Sequence, residues 1–463
     1  MNNFSNTIAA ISTPPGKGGV AIIRISGEDA LDIASRVFHP ANKKSFKNAA
    51  PRMQVRGEIF RNGEPIDDGM ATYFKSPASY TGEDTVEIYC HGGTLVTSAV
   101  LEAVLSAGAT LATAGEFTRR AFVNGKLSLI EAESIGNLLE AESLTQIKLA
   151  SKKSRSHLTL KIEEIRELLT SLLSSIYARI DYPDEDLGDF SDGEAVKILL
   201  EAKKKTERLL ATYRTGKAVT DGIKTVICGK PNVGKSSIYN LLLGRDAAIV
   251  TDIEGTTRDV LTDKIPLGKV ILKLSDTAGI RKRTCDPIEK IGIERSLEKI
   301  DEAELILAVF DLSRVFDSED KALVDSIISS ASAKIAILNK SDLPENFDRQ
   351  EISNKFDAIL TVSANDSGSD FIGELSRTVD AMFTDEKIKV GDDAVISSAR
   401  QNSALTKARE LIASAISAYE LGISQDAVSS DIERALSEIA ELDGRETSEI
   451  VVNDIFSKFC VGK

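Results

Sequence analysis

The chain has 463 residues, 42% of them hydrophobic and 28% charged, with a net charge of −14. That composition suits a globular protein of two to four domains, at roughly 100–200 residues each, able to bury real cores. The acidic balance runs against a nucleic-acid partner, whose phosphates normally call for a basic surface; no apolar run is long enough for a transmembrane helix, so no membrane association is expected.

The first residues show no basic region followed by an apolar stretch, so no signal peptide is read. Residues 1–122 read as mixed α/β, with short apolar runs such as 20–25 and 84–89 between Gly and Pro turns. Charge is uneven: residues 1–60 hold eight Lys/Arg against four Asp/Glu, and Lys148, Lys152, Lys153 and Arg155 make a second basic stretch. Either cluster can be a solvated face, so composition alone does not predict RNA. Cys90, Cys228, Cys285 and Cys460 are scattered without a CxxC pair. That argues for a reducing, cytoplasmic setting and against disulfides or structural zinc.

From about residue 123 the pattern turns helical. Ile162, Ile165, Leu169, Leu172, Ile176 and Ile180 recur at steps of three or four and share one helical face. Pro183 and the acidic stretch 184–192 end this helix, and another is expected to run to about 216. Residues 391–463 are helical again, with Leu405, Ala408, Ile412, Ile416 and Tyr419 as a similar stripe. Each stripe needs a partner, and the simplest solution packs the two helical blocks together, with residues 218–383 looped out between them; two separate small helical domains are the alternative. The expected divisions are therefore 1–122, a helical part at 123–217, an inserted module at 218–383 and a second helical part at 384–463. Inside the insert, buried-type runs at 224–228, 270–275, 305–311, 334–339 and 358–362 alternate with helical segments, which implies a parallel sheet covered on both faces.

The insert carries GKPNVGKSS (229–237), GTTRD (255–259), DTAG (276–279) and NKSD (339–342), at the carboxyl ends of strands where open α/β sheets bind ligands. The first follows a strand and opens a helix, as a phosphate-binding loop must. Its glycines let successive N–H groups point at a phosphate. Lys235 supplies charge between the β- and γ-phosphates, and Ser236 offers a hydroxyl to Mg²⁺. Asp276 is placed to hold Mg²⁺ through water, and the Gly279 N–H to sense the γ-phosphate. The Asp342 carboxylate can accept hydrogen bonds from guanine N1–H and the 2-amino group, which adenine cannot offer, and a backbone N–H at Ser363–Ala364 could meet guanine O6. GTP contacts are accordingly expected from Asn232, Val233, Gly234, Lys235, Ser236 and Ser237. Further contacts are expected from Thr251, Asp252, Ile253, Glu254, Gly255, Thr256 and Thr257, from Asp276, Thr277, Ala278 and Gly279, and from Asn339, Lys340, Asp342, Ser363 and Ala364. The reaction expected is hydrolysis of GTP to GDP and phosphate.

Ras-like enzymes place a water-orienting Gln after the DTAG-type Gly, and small GTPases borrow an arginine worth roughly 10³–10⁵ in rate. Here Ile280 and Arg281 follow Gly279, so something else must neutralise charge and orient water. The module resembles the potassium-activated GTPases, in which an Asn in the phosphate loop and the loop before GTTRD cage K⁺. The matching positions are Asn232, Thr251, Ile253 and Thr256, with Thr257 directed at Mg²⁺; Asn232 alone also reads as a turn residue after Pro231.

The flanks extend the resemblance to the whole chain. TIAAISTPPGKGGVAIIRISG (7–27), TGEDTVEIYCHGG (81–93), GEFTRRAF (115–122), the TDIEGTTRDV loop and the terminal FCVGK (459–463) resemble the MnmE (TrmE, ThdF) family of tRNA-modification GTPases. The resemblance implies an N-terminal domain related to folate-dependent one-carbon enzymes, a discontinuous helical domain and an inserted Ras-like GTPase domain. It implies a homodimer formed through the N-terminal domain. It also implies a heterotetramer with the FAD-containing MnmG, placing a carboxymethylaminomethyl or aminomethyl group on C5 of wobble uridine in certain tRNAs. The one-carbon unit would come from a tetrahydrofolate, as the 5,10-methylene or 5-formyl form, with Arg24, Glu87, Lys126 and Lys463 at folate-contacting positions. Glu289 matches the acid that orients the attacking water, though one residue more separates it from DTAG than in the family pattern. Cys460 is open between a nucleophile or acid/base and a small buried hydrophobe; Gly462 and Lys463 do not fit a prenylation box. His91 could touch a ligand or be structural. Two other readings stay open: a ribosome-assembly GTPase switch without modification chemistry, although the tail shows no GxxG-type RNA-binding signature, and a folate-binding scaffold with a vestigial GTPase.

Overall fold

The structure, a computed structural model, describes residues 6–181, 191–244, 263–274, 300–364, 370–446, 448–457, 459, 461 and 462. The chain divides into two compact units, residues 1–139 with 433–463, and residues 140–432. Among the described residues no helix is long and apolar enough to cross a membrane.

In the first unit, strands β1 (Ile8–Ile11), β2 (Gly18–Ser26), β3 (Phe38–Pro40), β4 (Gln54–Arg61), β5 (Glu64–Phe74), β6 (Thr85–Gly92) and β7 (Thr110–Leu111) form one sheet. Their order is β3-β4-β5-β6-β2-β1-β7, antiparallel except where β7 joins β1. Strand alternation sorts the side chains. Ala21, Ile23 and Ile25 of β2 and Val86, Ile88 and Cys90 of β6 enter a core with Ile33 and Val37 of helix Ala30–Val37 and Val100 and Val104 of helix Thr94–Ser106. Arg24 and Glu87, in register across β2 and β6, therefore fall on the opposite face.

The tail is laced onto this unit. Val452 and Phe456 of helix Glu449–Ser457, with Phe459, pack on Leu129 and Ala132 of helix Leu129–Leu139. Ser12 Oγ donates to the Gly462 carbonyl at 3.0 Å, and Val461 bridges Ala114. Residues 433–463 thus share a compact unit with the N-terminal sheet, and their apolar face meets a helix within the expected helical part 123–217. An apolar stripe says that a helix has a buried face but not which element covers it.

In the second unit, strands β8 (Ile223–Cys228), β9 (Asp263–Leu267), β10 (Val270–Leu274), β11 (Leu305–Asp311), β12 (Ala333–Asn339) and β13 (Ala358–Thr361) form a sheet of order β13-β12-β11-β8-β10-β9. Only β9 runs antiparallel to its neighbour. Every residue of β11 is buried, as expected of a central strand covered on both faces. Helices Lys235–Gly244 and Phe371–Phe383 cover one face and helix Ser318–Ile328 the other.

Around this sheet, helix Asp192–Ala211 packs against both Lys152–Asp181 and Ala399–Glu420, so the two helical stretches flanking the sheet meet each other. Ser191 with Glu194, and Ser398 with Gln401, form capping boxes that fix where two of these helices begin. Ile162, Ile165, Leu169, Leu172 and Ile176 are buried as the periodicity predicts, but Ile180 is 37% exposed, one turn past the last packed position. The helix expected to run to 216 breaks at Thr212, whose hydroxyl donates back to the Leu209 carbonyl. A second helix, Tyr213–Thr220, follows and leads into β8.

Where the chain returns from the sheet, Ile396 N–H donates to Thr212 Oγ1 and Asp385 N–H to Thr215 Oγ1. The approach depends on Gly216: a Cβ there would lie 2.1 Å from the Ile396 carbonyl oxygen and 2.8 Å from Val395 Cγ1. Gly216→Ala is therefore expected to destabilise by about 1–3 kcal/mol, as overpacking does. Gly193→Ala, whose added Cβ would meet nothing nearer than 3.7 Å, is not expected to lower the melting midpoint. Thermal unfolding of the two variants checks the contrast.

Candidate functional site

Strand β8 ends at Cys228 and helix Lys235–Gly244 begins seven residues later, anchored in the core by Ile238, Tyr239 and Leu242. The loop between turns on three left-handed residues, Gly229 (φ 147°), Asn232 (φ 65°) and Gly234 (φ 100°). A Cβ on Gly229 would lie 2.4 Å from the Val309 carbonyl oxygen, so the loop leaves the sheet pressed against β11. Lys235 opens the helix, and its Nζ donates to the carbonyls of Gly229 (2.8 Å) and Lys230 (2.7 Å). A helix N-terminus with such an ammonium over the preceding loop is a ready-made phosphate site.

Asn339, at the end of β12 and 2% exposed, ties three segments together. Its Nδ2 donates to the Val233 carbonyl at 2.9 Å, and its Oδ1 accepts from the Ala364 N–H at 3.1 Å. The amide sits so close to the loop that a Cβ on Gly234 would lie 2.0 Å from Nδ2. Lys340 follows in the left-handed region (φ 66°), its Nζ 2.5 Å from Asp311 Oδ2 at the end of β11. Burial alone would raise the Asp311 carboxyl, but Lys340 and Ser313 outweigh it and hold it below the usual range. Asp342 is exposed, with one oxygen accepting from Ser363 Oγ at 2.7 Å. The result is a loop of phosphate-binding form beside an exposed carboxylate at the carboxyl ends of parallel strands.

Two family models match the chain: "GTP-binding protein TrmE N-terminus" over residues 7–126 and "MnmE helical domain" over residues 129–460. Proteins named tRNA modification GTPase MnmE align end to end. The Finegoldia magna protein is 40% identical over 464 residues, the Thermotoga maritima protein 39% over 464 and the Clostridioides difficile protein 38% over 460. Each alignment covers 99% of this chain and 100% of the relative. The chain belongs to the MnmE family. That is a family of GTP hydrolases acting in tRNA modification.

Of the residues the sequence singles out for nucleotide, the structure joins Val233, Asn339 and Ala364 by hydrogen bonds, packs Gly234 against the Asn339 amide, turns Lys235 onto the loop carbonyls and Lys340 onto Asp311, and pairs Asp342 with Ser363. Asn232 shapes the loop, and Ser236 and Ser237 lie in the first turn of the helix. The Ala364 N–H points at Asn339 Oδ1, so a guanine O6 contact there would have to share that donor. Thr251, Asp252, Ile253, Glu254, Gly255, Thr256, Thr257, Asp276, Thr277, Ala278, Gly279, Glu289, Cys460 and Lys463 lie outside the described residues. Asp311 escaped the sequence reading, although its place at the end of a central parallel strand was a usable signal.

In the first unit, Arg24 and Glu87 meet directly: Nε and Nη2 donate to Oε1 at 3.0 and 2.9 Å. Tyr89 donates to Glu87 Oε2 at 2.8 Å, and the Arg24 guanidinium lies over the rings of Tyr80 and Phe117. Burial and the neighbouring Glu87 push the Tyr89 hydroxyl up to about 12, so it stays a donor. Tyr89 was legible, two residues beyond Glu87 on the same strand face. Lys126 is exposed and donates to the Pro77 carbonyl at 2.9 Å. His91 is largely exposed and pairs with Asp67, its ring nitrogen 2.7 Å from Oδ1.

Gly234 generates the sharpest expectation. Gly234→Ala combines a left-handed backbone strained for any L residue with a collision at Asn339. At about 1–3 kcal/mol for such strain, nucleotide affinity should fall roughly tenfold or more. Titration with a fluorescent GDP analogue measures it.

Proposed function

We propose that this chain hydrolyses GTP to GDP and phosphate and uses that cycle to drive modification of C5 of wobble uridine in tRNA, together with the FAD-containing protein MnmG, in the cytoplasm and as a homodimer. The observation that supports the nucleotide half most directly is the Asn339 carboxamide, which bonds the phosphate loop at Val233 and the turn at Ala364 at once. In this reading Lys235 places its charge between the β- and γ-phosphates, and the loop N–H groups and helix N-terminus take up the charge that develops as water attacks the γ-phosphorus. Asp342, already oriented by Ser363, accepts from guanine N1–H and its 2-amino group. Glu289 is assigned to orient the water.

Ser236 and Thr257 are assigned to Mg²⁺, and Asn232, Thr251, Ile253 and Thr256 to K⁺. Asn232 and Ser236 fit such hard cations: both offer uncharged oxygen atoms, one on a left-handed turn of the loop and one in the first helical turn. The cations would supply the positive charge that other GTPases draw in part from an arginine. In the N-terminal unit, Arg24, Glu87 and Lys126, with Lys463, are assigned to a tetrahydrofolate that donates the one-carbon unit, and Cys460 to the modification chemistry.

Two measurements test this. Mass spectrometry of tRNA nucleosides from a strain lacking the gene should show loss of the C5-substituted wobble uridine, restored by the unaltered gene and not by Cys460→Ser. A modification that survives deletion rejects the assignment. GTP turnover should rise at least tenfold when K⁺ replaces Na⁺ at constant ionic strength, and equal rates would remove Asn232 from the cation site.

A further inference from the structure

The second residue of GKPNVGKSS is Lys230, and a lysine in a phosphate loop reads as one more charge for the phosphates. Its side chain goes elsewhere. Lys230 Nζ lies 2.6 Å from Asp317 Oδ2 and 2.7 Å from Asp320 Oδ2, and the side chain is 14% exposed. Asp320 is buried and Asp317 half exposed, and both are held in place by the helix they cap. Asp317 caps helix Ser318–Ile328, accepting from the N–H groups of Glu319 and Asp320, while Asp320 accepts from the Asp317 N–H and is 6% exposed. Val324 and Ile327 fix that helix in the core beneath β11. On its other side, the Lys230 carbonyl accepts from Lys235 Nζ, the ammonium assigned to the phosphates.

We propose that Lys230 is a positioning residue, a latch that ties the first half of the phosphate loop to the capped end of helix Ser318–Ile328 and so presets the loop for nucleotide. Two charge-assisted bonds, one of them to a buried carboxylate and one to a half-exposed carboxylate fixed as a helix cap, hold more firmly than a lone exposed pair, and their anchor is a capping box rather than a mobile side chain. The inference rests on the GTP-hydrolase reading. It adds that loop geometry is held from 87 and 90 residues away by a contact that never touches ligand.

The test uses the full chain and a fluorescent GDP analogue, with melting midpoints alongside. Lys230→Ala should weaken binding about tenfold, and Lys230→Arg, which can still bridge both carboxylates, should recover most of the affinity. The double variant Asp317→Asn/Asp320→Asn should weaken binding as much as Lys230→Ala does, since asparagine preserves the cap but discharges the anchor. Combining all three changes should cost little more than either alone, as coupled positions do. If Lys230 instead served the phosphates directly, freeing it from both aspartates would maintain or raise affinity, and that result overturns the latch. So does unaltered affinity in Lys230→Ala, or a lowered melting midpoint with affinity unchanged. Failure of the unaltered chain to bind the analogue would overturn the nucleotide reading itself, a distinct result from any of these.

Discussion

The carboxyl end of the parallel sheet, where the phosphate-type loop sits, depends on one buried carboxamide. Asn339 sits at the last position of β12, where its side chain can neither reach water nor go unpaired without cost. Donating to Val233 and accepting from Ala364 satisfies it from both sides, and in doing so sets the distance between the phosphate loop and the turn after β13. Gly234 follows from this constraint: no side chain fits between the loop and the amide. Lys340 follows too, since Asn339 fixes where the chain leaves the strand and Asp311 receives the ammonium.

Strand β11 carries the same logic along its length. It is buried throughout and has a charged anchor at each end. Asp311 at its carboxyl end meets Lys340 beside the loop before helix Lys235–Gly244. Glu304, just before its first residue, accepts from Lys217 Nζ at 2.6 Å and from the Lys224 N–H at 3.1 Å. Burial would raise Glu304, but those donors outweigh it and hold the carboxyl below its ordinary value. Lys217 belongs to the short helix that enters β8 and rests against Ile396 through Gly216. A displacement at the loop end of the sheet therefore has a stiff element along which to reach the helices that pack beside it.

Much of this was legible in the sequence because the insert obeys local rules. Strands read at 224–228, 305–311 and 334–339 fall within a residue of those observed, since buried parallel strands are unbroken apolar runs ending at motif residues. The helical stripe from Ile162 to Ile176 was equally plain, and failed only at Ile180, where periodicity outlasts packing. What escaped was long-range pairing. Nothing in the spacing joins Lys230 to Asp317 and Asp320, or brings Tyr80 and Phe117 onto Arg24. Nor could a stripe show that Val452 and Phe456 would meet Leu129 and Ala132 rather than another helix.

The pair Arg24–Glu87 constrains what the folate reading can ask of it. Glu87 already accepts two bonds from Arg24 on one oxygen and one from Tyr89 on the other. Of about four lone-pair sites on an ionised carboxylate, little remains for a second ligand donor unless Tyr89 rotates away. Arg24, flanked by two aromatic faces and neutralised by Glu87, has no net charge to offer an anionic tail. Lys126 is the better placed cation for that, being exposed and donating to the Pro77 carbonyl. In the folate reading the pair would thus grip a polar ring through shape and hydrogen bonds, with Tyr89 as the group that gives way, and the long-range attraction for the tail would come from the loop lysine.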